Sequence, residues 1–224
     1  MLLPLRDENP TRRVPVLTII IISLNCLIFL FQVLSPQGLD DYTLKLGAIP
    51  YEITHFKTLD HGSRVFPPLS LFTAMFLHGG LFHLLGNMLY LWIFGNNVED
   101  FLGSFRFAVF YLLSGLGASL THIIFNPNSQ VPMIGASGAI AGVLGAYFIL
   151  YPGARVSTLL FLFIIIRVVP IPAAYVLGFW FLMQVLNVGL GGGVAWFAHI
   201  GGFLIGILLI KVFSGRKKRR AWVN

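Results

Sequence analysis

Four residues have the types and spacing to do chemistry: Ser137 in Gly135-Ala136-Ser137-Gly138, His199 in Ala198-His199-Ile200-Gly201-Gly202, and His83 with Asn87 four positions on. Each lies in an otherwise apolar run, where a strongly polar side chain is expensive to bury and marks a functional site by default. A serine hydroxyl becomes a nucleophile when a base takes its proton, and a histidine titrating near about pH 7 is the natural base. Ser137 and His199 supply that pair. Acyl transfer also needs donors aimed at the developing oxyanion, and the imidazole N–H of His83, the amide of Asn87 and the backbone N–H of Ser137 are available for that task. No carboxylate completes a triad, because not one Asp or Glu occurs from Phe101 to Asn224. The expectation is a Ser-His dyad whose imidazole is oriented by packing.

Other chemistries fail on the same inventory. A zinc-dependent intramembrane protease needs His-Glu-x-x-His, which is absent, and an aspartyl protease needs two Asp in spans, which hold none. A zinc site from His78, His83 and His199 ranks below the dyad because no general-base carboxylate lies nearby. Cys26 is the single cysteine, so thiolate metal clusters and disulfides are out. No metal and no cofactor is expected. Bland alternatives exist for each piece: Gly138, Gly142 and Gly145, like Gly202 and Gly206, suit helix packing, and His83 and Asn87 share a helical face that could tie two spans together. All three motifs, however, lie near the start of their runs, at similar depth and in spans of one direction. That coincidence favours a site. His78 reads as a loop or interface residue and His122 as a helix-packing hydrogen-bond partner.

The elements that must position these residues are membrane spans. Of 224 residues, 57% are hydrophobic and 10% charged, with a mean hydropathy of +0.85, whereas soluble domains carry about 25% charged residues. Apolar runs cover residues 14–34, 81–94, 105–125, 136–150, 172–188 and 194–213, enough for six spans when a bilayer crossing takes about 20 residues, although the fourth is short. The fourth is tolerable if protein or a water-filled cavity shields one end. Residues 157–169 are apolar but interrupted by Arg167 and followed by Pro170 and Pro172, and read as interfacial or re-entrant. Arg12 and Arg13 at one end, and Arg216 to Arg220 at the other, read as cytoplasmic anchors, which makes the span number even. The expected fold is an all-α, six-span bundle with both termini cytoplasmic. It divides into a tail at 1–13, a membrane domain at 14–213 with an outer loop at 35–70, and a basic tail at 214–224. The basic run is read as a membrane-side anchor rather than a nucleic-acid patch. Short tails suggest a prokaryotic plasma membrane.

These motifs resemble the rhomboid family of intramembrane serine proteases. Gly135-Ala136-Ser137-Gly138 matches that family's Gly-x-Ser-Gly, Ala198-His199-x-x-Gly202-x-x-x-Gly206 matches its sixth-span signature, and His83, Asn87, Leu91, Gly95 and Glu99 follow at intervals of four. The resemblance implies that Ser137 is the nucleophile and His199 the base, with His83 and Asn87 on the oxyanion. It further implies that Gly135, Gly138, Gly202 and Gly206 are structural supports, as is Glu99 at the cytoplasmic end of the second span. Ideal helical drift puts Glu99 about 160° from His83, away from any site. The implied substrates are transmembrane segments of other proteins, cut near the outer face, with a small residue favoured at the scissile bond. A rhomboid-like scaffold that binds transmembrane clients without cutting them is the alternative. Gly191, Gly192 and Gly193 would make a mobile outer loop, and Phe179, Trp180 and Phe181 a lateral gate. One departure concerns Ala141, which stands where many members stack an aromatic on the catalytic histidine. Either tight packing on Ala141, Gly142 and Gly202 or another aromatic such as Tyr147 must hold His199.

Overall fold

The apolar runs become helices whose ends lie within a few residues of the sequence boundaries. The computed structural model describes residues 2–59, 65–162, 165–190 and 193–214. Gly191, Gly192 and the basic run Arg216 to Arg220 lie outside the described residues. Among the described residues, three helices are long and apolar enough to cross a membrane: α1 (Val16–Leu34), α7 (Ser104–Phe125) and α10 (Trp196–Ser214). A pair of segments, Pro67–Phe76 and Leu81–Leu102, meets the same test when taken together, bent by 80° at its break. α8 (Ser137–Leu150) and α9 (Ala173–Leu186) are apolar but shorter, at 14 residues each. The described residues between α1 and the rod that begins at Leu81 form three short helices, α2 (Gly38–Leu46), α3 (Pro50–His55) and α4 (Pro67–Thr73), the last running into a 3-10 turn at Ala74–Phe76.

The short α8 spans about 21 Å, less than the roughly 30 Å of a bilayer's hydrocarbon core. It survives because it is central: every residue from Ala139 to Tyr147 is buried, shielded by protein as the sequence required. Small residues let its neighbours close on it. A Cβ at Gly206 would sit 2.5 Å from the Gly142 Cα, so α10 and α8 touch backbone to backbone.

The rod from Leu81 to Leu102 comprises α5 (Leu81–Tyr90), a π-helical turn at Leu91–Gly95 and α6 (Asn96–Leu102). α6 carries Glu99 to the start of α1. That helix begins after Pro15 with no side-chain cap of its own, leaving the orphan N–H groups found at any helix start. The Glu99 carboxylate accepts hydrogen bonds from the N–H groups of Leu17 (2.9 Å) and Thr18 (2.8 Å) and from the hydroxyls of Thr18 (2.7 Å) and Ser104 (2.6 Å). One buried anion thus caps α1 from across the fold and fastens the start of α7, favoured also by the positive end of the α1 dipole.

The chain is mostly helical rather than all-helical. The described residues of 157–169, the segment expected to be interfacial or re-entrant, belong to two strands, β2 (Arg155–Leu162) and β3 (Ile165–Pro172), and the expected N-terminal tail contains β1 (Leu2–Asp7). They make an antiparallel sheet in the order β1-β2-β3. Val156, Thr158, Ile166, Val168, Val169 and Ile171 are β-branched and fit a pleated surface, a signal outweighed in the sequence by apolar run length. Pro4, Pro170 and Pro172 all fall on the two outer strands, where a missing N–H costs least, and the central β2 has no proline. Asp7, at the end of β1, accepts hydrogen bonds from the Tyr147 hydroxyl and the Asn97 amide, both at 2.7 Å, so the sheet is tied to α8 and α6. β3 leads directly into α9.

Candidate active site

Ser137 is the first residue of α8, after a loop that demands glycine for two reasons. Gly135 has φ +113°, a conformation L side chains rarely adopt, and a Cβ there would lie 2.8 Å from both Cε1 and Nε2 of His83. Its N–H donates to the Ala74 carbonyl at 2.8 Å, anchoring the loop to the 3-10 turn. The space left by the missing side chain is therefore faced by the His83 Nε2 and, at 3.7 Å, by the Asn87 Nδ2. Asn87 is 8% exposed, and its amide nitrogen is buried with no hydrogen-bond partner among the described residues. The Asn87 amide nitrogen is thus a donor without an acceptor among the described residues, within reach of that space.

Across this loop, on α10, the His199 Nε2 stands 2.9 Å from the Ser137 Oγ. The two residues are 62 apart in sequence and meet because α8 and α10 pack so closely. A Cβ at Gly202 would overlap the Gly138 carbonyl oxygen and sit 3.1 Å from the Ala141 Cβ. Ala141 therefore faces the histidine-bearing helix with only a methyl group between them. Tyr147, the aromatic considered as a replacement, is engaged elsewhere, with its hydroxyl on Asp7 and its ring against Phe94 at 5.0 Å. Aromatic cover for His199 comes instead from Trp180 on α9, with ring centroids 5.9 Å apart, and from Trp196, edge-on at 6.2 Å. The other nitrogen of His199, Nδ1, lies 2.8 Å from the side-chain oxygen of Gln184, also on α9. Gln184 was missed in the sequence, although the rule that marked Asn87 applies equally to an amide in the apolar run 172–188.

His78 lies, as expected, in the loop between Phe76 and Leu81, but it is fully buried there: its backbone N–H donates to the Gln32 side chain at 3.3 Å, and its ring stands edge-on to His83 at 5.1 Å. The His122 Nδ1 is buried without a hydrogen-bond partner among the described residues. Of the gate aromatics, Trp180 and Phe181 turn inward onto Phe203 at 6.2 and 4.7 Å, and Phe179 is exposed.

Beside Ser137 is a cleft of about 30 Å³, lined among others by Met75, Gly115, Ser119, Ala195 and Ala198. That is room for about two waters or a very small side chain. No group of three or more His, Cys, Asp or Glu suited to a metal ion occurs among the described residues. The arrangement offers a base on a hydroxyl, donors facing an unfilled space, and a small adjoining cleft, which are the parts acyl transfer needs.

A family model for the Rhomboid domain matches residues 67–216. RHOMBOID-like protein 1 of Arabidopsis thaliana is 37% identical over 150 residues, covering 64% of this chain and 34% of that protein. Rhomboid protein 1, mitochondrial, of Saccharomyces cerevisiae is 32% identical over 167 residues, 68% of this chain and 45% of its own length. Rhomboid protease GluP of Bacillus subtilis is 46% identical over 76 residues, 34% of this chain and 14% of its own. The matches with the plant and yeast proteins thus span about a third to a half of those relatives. Their names include mitochondrial and bacterial proteins alike, so the similarity supports a multi-pass membrane protein without favouring the prokaryotic plasma membrane expected from the sequence. The family includes intramembrane serine proteases, and the matched segment holds every polar residue of the site; this chain belongs to the rhomboid family.

Proposed function

We propose that this protein is an intramembrane serine endopeptidase that cleaves transmembrane segments of other membrane proteins by a Ser137-His199 dyad. The observation that carries the reading is the 2.9 Å approach of the His199 Nε2 to the Ser137 Oγ, between two helices held together by glycines. In this reading the Ser137 Oγ attacks the scissile carbonyl carbon as its proton passes to the His199 Nε2. His83, Asn87 and the Ser137 N–H hold the oxyanion, and the unsatisfied Asn87 amide gains its acceptor only then. The C–N bond breaks as His199 returns the proton to the leaving amine. Water then attacks the acyl-enzyme with His199 again as base, releasing the acid and restoring Ser137. The cleft of about 30 Å³ suits a small residue at the scissile bond.

The same reading takes α1, the bent rod, α7, α8, α9 and α10 as six spans of one membrane domain at 14–213, with both termini cytoplasmic. Gly135, Gly138, Gly202, Gly206 and Glu99 serve as its supports, and substrates enter laterally past α9. The test is cleavage of a transmembrane substrate in proteoliposomes by wild type, Ser137→Ala and His199→Ala. Both variants should be inactive while keeping wild-type thermal stability. Undiminished cleavage by either removes the proposal, and an inert wild type that also resists a fluorophosphonate at Ser137 would indicate the non-catalytic scaffold instead.

A further inference from the structure

Among the described residues, Gln184 is the side chain hydrogen-bonded to the His199 Nδ1, and its own surroundings decide which way its amide points. The Gln184 Nε2 donates to the Trp180 carbonyl at 2.9 Å. Flipping the amide would set two oxygens against each other there, so the nitrogen is fixed on Trp180 and the oxygen on His199, at 2.8 Å from Nδ1. A carboxamide oxygen can only accept, so Nδ1 must carry the proton. In a neutral imidazole the other nitrogen is then unprotonated, and that nitrogen is the one 2.9 Å from the Ser137 Oγ. A directed chain results: Ser137 O–H to Nε2, Nδ1–H to the Gln184 oxygen, and the Gln184 amide N–H to the Trp180 carbonyl.

We infer that Gln184 is a positioning residue that selects the Nδ1–H tautomer of His199 and so leaves Nε2 free to act as the base. The inference rests on the dyad reading above. The opposite tautomer would turn an N–H toward Ser137 and could not take its proton. It would also face a lone pair on Nδ1 toward the Gln184 oxygen, two acceptors without a hydrogen between them, which the buried setting penalises. The same amide oxygen continues to accept from Nδ1 once His199 is protonated, so the bond survives the proton transfer. It supplies a dipole rather than a full charge. No Asp or Glu occurs on α7, α8, α9 or α10, and the ionisable groups acting on His199 are His83 on α5 and His122 on α7. The orienting acceptor is therefore a neutral amide rather than a carboxylate. Because Gln184 rides on α9 together with Trp180, the position of α9 sets the orientation of the base.

The experiment compares Gln184→Met, which keeps the side-chain volume but loses both the acceptor and the donor to Trp180, with Gln184→Glu, which loses that donor too but keeps an acceptor at the same reach, so that the pair isolates the acceptor. Both are made in the full chain, reconstituted in liposomes and assayed on a transmembrane substrate beside Ser137→Ala. Gln184→Met should lose about 10²-fold in kcat with KM within about twofold. Gln184→Glu should recover to within about tenfold of wild type. Wild-type kcat in Gln184→Met, or equal losses in both variants, overturns the inference, the second result meaning that Gln184 only packs. If Ser137→Ala is itself active, the dyad reading fails first and takes this inference with it. Should Gln184→Met not fold, ¹⁵N NMR of His199 in the wild-type protein decides: the resting proton belongs on Nδ1, and finding it on Nε2 refutes the assignment.

Discussion

Gly202→Ala is the sharpest probe of how the site is held, because one methyl group must enter a contact between two backbones. The new Cβ would overlap the Gly138 carbonyl oxygen and lie 3.2 Å from the Gly138 carbonyl carbon and 3.1 Å from the Ala141 Cβ. Non-bonded carbons settle at about 3.5–4.0 Å, and with the oxygen overlap included α10 must move off α8 by on the order of 1 Å. Gly202 is less than one turn from His199, and Gly138 adjoins Ser137, so most of that displacement reaches the reacting pair. Their 2.9 Å separation would pass the roughly 3.2 Å limit of a good hydrogen bond. A misplacement of this size costs about 10²-fold in rate, and overpacking of a close contact costs about 1–3 kcal/mol in stability. The assay is kcat on a reconstituted transmembrane substrate, paired with thermal unfolding of the same preparation. Gly153→Ala, where a Cβ meets nothing within 4 Å, is the control and should match wild type. A Gly202→Ala enzyme with wild-type kcat and unchanged melting temperature would falsify the close-packing argument. Loss of stability with full activity would show that α8 and α10 can part without separating Ser137 from His199.

Further expectations concern residues away from that contact. Asn87→Ala removes one oxyanion donor and should lower kcat by about 10²-fold with little change in KM, measured on the same substrate; a change confined to KM counts against the assignment. Glu99→Gln sets an amide NH2 among groups that are all donors, and should cost about 1.5–3 kcal/mol for a charged hydrogen bond lost, seen as a lower melting temperature. Turnover per folded molecule should not change, and a selective loss of kcat would contradict a structural role. Burial holds the Asp7 carboxyl above its ordinary value of 3.8, so the folded state binds that proton more tightly than the unfolded state does. The contribution is full below that value and is lost as pH rises through the raised one. Asp7→Asn should therefore flatten the fall in melting temperature between about pH 4 and neutrality, and parallel curves for the two proteins would refute it.

Local chemistry made much of this molecule legible before any contact was known. Helix ends at Leu34, Phe125 and Leu150 follow from where apolar runs stop, since a bilayer selects for run length and hydropathy more strongly than water does. Ser137, His199, His83 and Asn87 stood out because polar groups are rare and costly in such runs. Residues 157–169, read as interfacial or re-entrant rather than as a span, show what local reading leaves hidden: the described residues of that run are strands. Their pairing partner, Leu2–Asp7, is some 150 positions away, and nothing within the run announces it.

What the sequence by itself determined is therefore an inventory and its depth: apolar spans, four polar groups near the start of their runs, and no carboxylate after Asp100. Tertiary structure alone decided the partners. It set the Gln184 oxygen on the His199 Nδ1, gave Glu99 to the uncapped start of α1, took Tyr147 to Asp7 and buried His78 against His83. Spans and polar outliers are properties of a local stretch, governed by the free energy of moving each residue out of water. A hydrogen bond between residues 15, 81 or 140 positions apart depends on which helix faces close together, and that is a property of the packed whole.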